Sequence, residues 1–194
     1  MKGKTARAGQ ADRADFKEFS GLLTRLIDAT KSDSLGVAEA AAITGLKLSK
    51  DAENTNDYTL FYRSERYDSL WAYGLAGKGA APPRPPSPSG NKFLEAIQLR
   101  LPNQLSTHRG SMVDLNLKEG TRFTVADFDA LFKRAAIPSF FPHPTPTTQN
   151  TNQYIYEFIN MKIGLTCAKD TGYCRTVVVD KLKANSSVPA TPKK

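Results

Sequence analysis

The feature that most limits the possible folds is an internal match. Asn54-Thr55-Asn56-Asp57-Tyr58 can be laid over Asn150-Thr151-Asn152-Gln153-Tyr154, and an aromatic-rich run follows each. Val37-Ala38-Glu39 in one helical segment likewise matches Val125-Ala126-Asp127 in another. Matches at corresponding places in two similar series of elements point to a duplicated unit rather than to chance. Each unit reads helix, loop, strand, strand, strand. The predicted class is therefore α+β: two tandem helix-plus-antiparallel-sheet (αβββ) units with their helices packed on one face of the sheet.

Residue patterns place the individual elements. From Ala14 to Ser32, Phe16, Phe19, Leu22, Leu23, Leu26 and Ile27 recur at three- and four-residue intervals, predicting an amphipathic helix that faces the core. A second, alanine-rich helix is expected from Val37 to Thr44, ended by Gly45. β-Forming runs follow at Tyr58 to Tyr62 and Tyr67 to Leu75. A third, Phe93 to Leu101, has Ile97, Leu99 and Leu101 on one face and Gln98 and Arg100 on the other. A short strand at Met112 to Leu117 precedes Thr124-Val125-Ala126-Asp127, a capping-box pattern with Asp in the usual Glu position. The helix it opens should run to about Arg134, followed by strands at Met161 to Cys167 and Tyr173 to Leu182. Proline-rich loops are expected at 77–90 and around Pro138, Pro142, Pro144 and Pro146. The resulting organisation is a flexible basic tail at 1–13, an N-terminal helix plus first unit at 14–101, a second unit at 102–182 and a second basic tail at 183–194.

Charge and cysteine content limit the partners and the compartment. Of the formal net charge of +8, residues 1–13 hold +3 through Lys2, Lys4, Arg7 and Arg13 against Asp12. Residues 181–194 hold +4 through Lys181, Lys183, Lys193 and Lys194, so the body between is nearly neutral. Charge confined to the termini reads as solvated tail rather than as a nucleic-acid patch. No apolar run is long enough to cross a bilayer as a helix, and the N-terminus lacks the apolar core of a signal peptide. The two cysteines, Cys167 and Cys174, flank the turn residues Asp170-Thr171-Gly172, so a hairpin would set them opposite each other at bridging distance. Disulfides persist in oxidising compartments, which makes a periplasmic or secreted location the expectation, with the export signal lying outside this chain.

Tandem helix-plus-antiparallel-sheet units with a cysteine-closed hairpin resemble the β-lactamase inhibitory protein and the related fold of small outer-membrane assembly lipoproteins, in element order over residues 34–182. That resemblance implies helices on one face of the sheet and protein binding by the other face or its loops. The chain departs from the pattern in having no lipobox cysteine near the N-terminus, and a proline loop in place of a tight hairpin in the first unit.

No catalytic constellation is legible. Gly74-Leu75-Ala76-Gly77-Lys78-Gly79 lacks the spacing and the following Ser or Thr of a phosphate loop. His108 adjoins Ser106 without a nucleophile-elbow motif, and a bridged Cys167 has no thiolate for a Cys-His peptidase. No metal or cofactor is expected. Tyr67, Trp71 and Tyr73 on one predicted strand, and Phe140, Phe141 and His143 in a proline-bracketed loop, are the candidate partner-binding residues, because Trp and Tyr so often anchor interfaces. The expectation is an exported, non-enzymatic protein-binding module that inhibits an enzyme or gives immunity to a toxin. An envelope assembly or scaffolding subunit is the alternative, ahead of a cell-wall hydrolase or a nucleic-acid binder.

Protein purified without reductant should contain no titratable thiol. Replacing both Cys167 and Cys174 by Ala should lower unfolding free energy by about 2–3 kcal/mol, the chain-entropy value for so short a loop, measured by urea titration.

Overall fold

The computed structural model describes residues 5–52, 55–65, 90–103, 105, 109–139 and 150–182. Its first helix, α1, spans Thr5–Lys31. It begins inside the stretch expected as a tail because Ala6, Arg7, Ala8, Gln10, Ala11 and Arg13 are strong helix formers. Helix α2 covers Val37–Thr44 and stops where expected: Gly45 takes the left-handed conformation at φ 68° and donates its N–H to Ala41 O. Helix α3 covers Val125–Phe132. At its start the Asp127 carboxylate accepts from both the backbone N–H and the hydroxyl of Thr124, each at 2.8 Å. It ends short of Arg134 because Lys133 turns left-handed at φ 53°. Among the described residues no helix is long and apolar enough to cross a membrane.

The strands are β1 Leu48–Lys50, β2 Thr59–Ser64, β3 Leu94–Pro102, β4 Arg109–Leu117, β5 Ile137–Ser139, β6 Thr151–Phe158, β7 Met161–Ala168 and β8 Cys174–Leu182. They form one eight-stranded sheet in the order β1-β2-β3-β4-β8-β7-β6-β5, and every neighbouring pair is antiparallel. The fold is therefore α+β. The two outermost strands, β1 and β5, are three residues long and carry too little pattern to be seen in the sequence. The strand expected at Tyr67 to Leu75 and residues 77–89 and 140–149 of the two proline-rich loops lie outside the described residues, whereas Pro138, expected in a loop, lies in the edge strand β5, where the lack of an N–H is tolerated.

Alternation along the strands assigns the faces. In β7, Met161, Ile163, Leu165 and Cys167 are buried, while Lys162, Gly164, Thr166 and Ala168 between them are half-buried. Register carries the same parity across the sheet, through Ile163 opposite Val179, Val179 opposite Val113 and Val113 opposite Leu99. These side chains share one buried cluster with Leu23 and Leu26 of α1, Ile43 of α2 and Phe128 of α3. Rings link the elements further: Phe19 meets Phe123, Phe93 and Phe128, Phe128 meets Phe132, and Phe132 meets Tyr156. Tyr154, Tyr156 and Phe158 do share one face of β6, and that face points into the core.

The disulfide forms as expected between Cys167 and Cys174, which face each other across the β7–β8 hairpin and are both buried. Gly172 supplies the left-handed residue of the turn at φ 70° and donates to Ala168 O at 2.9 Å. Cys174 N–H also donates to Phe123 O at 2.7 Å, tying the hairpin to the segment that leads into α3. At the other end of α3, the buried Tyr156 hydroxyl donates to Asp129 Oδ1 at 2.7 Å, and the same oxygen accepts Ala136 N–H at 2.9 Å. Burial first, and then this bond, hold the Tyr156 phenol well above its ordinary pKa of 10.0.

Gly110 sits in the irregular stretch of β4 between Arg109 and Met112. A Cβ there would lie 2.5 Å from Lys181 O, a backbone atom of β8 that has no room to retreat. Gly110→Ala should lower stability by about 1–3 kcal/mol in urea titrations, the range for forced overpacking. Tyr156→Phe should lose about 1 kcal/mol at neutral pH, the net worth of one hydrogen bond. Because the phenol is raised in the folded state, its contribution is complete below pH 10 and declines as pH rises past the unfolded value. The Tyr156→Phe protein should lack that part of the alkaline loss.

Candidate functional site

The second face of the sheet is chemically graded, and strand register sets the gradient. One row runs Phe61, Arg100, Met112, Asp180, Lys162, Glu157 across β2, β3, β4, β8, β7 and β6. The next row runs Arg63, Gln98, Asp114, Val178, Gly164, Ile155, Ile137. A third holds Ala96, Asn116, Thr176, Thr166, Gln153 and Ser139. Charge thus dominates the first row and uncharged polar groups the third.

The charged row is held by ion pairs. Arg100 Nη2 reaches over Met112 to Asp180 Oδ1 at 2.7 Å, and Lys162 Nζ meets Glu157 Oε1 at 2.9 Å. In the second row Arg63 pairs with the buried Asp51 at 2.6 Å. The Arg100 and Arg63 side chains are 11% and 17% exposed, so these pairs are fixed in place more firmly than ordinary surface pairs.

Between the charged and the polar rows, Val178, Gly164, Ile155 and Ile137 make an apolar stripe over β8, β7, β6 and β5. Gly164 leaves a notch at its middle: among the described residues an added Cβ would meet only Val178 Cβ, at 3.9 Å. At the outer end Ile137 is 55% exposed. Glycine inside a strand forfeits side-chain packing, and one reason for its presence is the close approach of another molecule. An apolar centre with a charged rim on one side and a hydroxyl and amide rim on the other is the anatomy of a protein interface.

Two clefts walled in part by α1 offer less. They have volumes of about 240 and 350 Å3 and share Lys92 and Phe93 in their walls. Lys92 spans Asp15 and Glu18 of α1 at 2.8 and 2.7 Å, which raises its pKa, and Lys118 donates to the Asn91 carbonyl. Both cations are thus engaged in holding the β3 entry to its neighbours. Among the described residues no group of three or more His, Cys, Asp or Glu side chains is placed to share a metal ion.

Of the residues singled out in the sequence, Cys167 and Cys174 are brought together as a buried bridge. Tyr67, Trp71, Tyr73, Phe140, Phe141 and His143 lie outside the described residues, as does His108. The stripe was missed. Its one sequence signal is Gly164 interrupting the otherwise regular alternation from Met161 to Cys167, and its extent depends on which strands are neighbours. Compared with models of protein families, with curated proteins and with solved structures, the chain gives no match.

Proposed function

We propose that this chain is an exported, non-enzymatic binding module that covers a partner protein, as an inhibitor of an enzyme or an immunity protein against a toxin. The observation that carries this reading is the apolar stripe of Val178, Gly164, Ile155 and Ile137, set between a fixed row of charges and a polar row. The buried Cys167–Cys174 bridge supports an oxidising compartment.

The same reading treats the fold as a duplication with its helices on the face opposite the stripe. The sheet order supports it, because α2 with β1 to β4 and α3 with β5 to β8 form two successive meanders that meet at their last strands. Val37 and Val125 both open their helices. Laying Tyr58 over Tyr154 also sets Leu60 over Tyr156 and Tyr62 over Phe158, which preserves the core-facing parity of β2 and β6. The strand order favours a division between 117 and 125 rather than at 101.

The test is affinity capture from the native envelope fraction with wild type and Gly164→Phe in parallel. The new side chain would fill the notch and project from the sheet, so the melting temperature should stay within a few degrees of wild type. One stoichiometric protein should be retained by wild type and bound at least tenfold more weakly by the variant. Equal retention by both would sink the assignment of the stripe as the contact surface.

A further inference from the structure

Three of the most exposed large apolar side chains among the described residues gather at one end of the sheet. Tyr58 immediately precedes β2, Leu105 follows β3, and Ile159 forms the two-residue β6–β7 turn with Asn160. All three lie beyond the charged row of the second face on the same side, and they are 61%, 60% and 94% exposed. Such a turn favours Asn, Asp and Gly. Asn160 supplies the left-handed residue at φ 59°, whereas Ile159 at 94% exposure contributes almost nothing to packing.

Cations stand beside the Ile159 prong. Lys133 and Arg134 follow α3, and the Arg134 guanidinium donates to Glu157 O and lies 5.0 Å over the Phe158 ring. Lys162 lies in the next strand, pairs with Glu157 and stands opposite Asp180, which Arg100 already pairs, so cations still outnumber carboxylates here among the described residues. Like charge opposes docking of this tip on a second copy of itself. Tyr58 and Ile159 also stand four to five strand spacings apart, about 20 Å. Separate apolar prongs at that spacing suit a planar surface better than a single pocket.

We propose that this end of the sheet docks on an anionic lipid bilayer. Ile159 and Leu105 enter the boundary between headgroups and acyl chains, Tyr58 sits at headgroup depth, and Lys133, Arg134 and Lys162 lie over the lipid phosphates. Asp57, beside Tyr58, makes that prong the shallowest. The proposal is independent of the protein-binding reading, because the stripe and the prongs involve different residues.

The experiment is co-sedimentation of the full chain with phosphatidylcholine vesicles, alone or containing about one-third phosphatidylglycerol. Wild type should pellet with the anionic vesicles and stay in solution with the neutral ones. The double variant Leu105→Asn, Ile159→Asn keeps the net charge, so attraction of the basic termini is unchanged. It should bind the anionic vesicles at least tenfold more weakly while melting within a few degrees of wild type. Ile159→Trp should pellet like wild type and shift its fluorescence to the blue on binding. Absence of binding to anionic vesicles, or equal binding by wild type and the double Asn variant, would overturn the proposal. Capture of a soluble protein through Ile159 without vesicle binding would overturn it in favour of a protein contact.

Discussion

Phe19 has no exposed surface, and its ring contacts those of Phe16, Phe93, Phe123 and Phe128. These residues come from α1, the entry to β3, the segment before α3 and α3 itself. Aromatic side chains bury large areas and add a preference for edge contact, here seen between Phe19 and Phe93 and between Phe16 and Phe128. The position of α3 follows from this cluster at one end and from the Tyr156–Asp129 bond at the other. The backbone bond from Cys174 to Phe123 then fixes the β7–β8 hairpin to the same centre.

The strand positions that share the buried cluster are apolar, whereas the positions between them are chemically varied. Register sets which side chains are neighbours there, so adjacent strands place like with like. Charged groups line up in one row because Arg100, Asp180, Lys162 and Glu157 stand at the same level on β3, β8, β7 and β6, with Met112 of β4 between the first two. Pairing of Arg100 with Asp180 and of Lys162 with Glu157 holds the row in place. Under the proposed function, a charged margin beside an apolar strip would select a partner by charge pattern as well as by shape.

Much of the fold was legible in the sequence because its signals are local. The spacing of Phe16 to Ile27 marks α1, Thr124 and Asp127 mark the start of α3, and the alternation in β3 and β7 marks which residues face inward. Asp170 to Gly172 revealed the cysteine-closed hairpin for the same reason. The elements that were not legible depend on distant partners. β1 and β5 are strands only because β2 and β6 lie beside them. The N-terminal part of α1 was hidden by its polarity, since a helix without an apolar stripe has no periodic signature. The apolar stripe was hidden more deeply: Gly164, Ile155 and Ile137 are far from Val178 in pattern terms, and they align only through three separate registers.

An antiparallel sheet eight strands wide is in principle an open template, since each lateral border offers backbone groups to any extended chain that drifts alongside. Here both borders are only three residues long, and Pro138 at the middle of β5 removes one of the few amide donors that border has. The sheet is thereby made finite. Copies of the chain that meet edge to edge therefore find little free backbone to pair with, which works against growth into fibres.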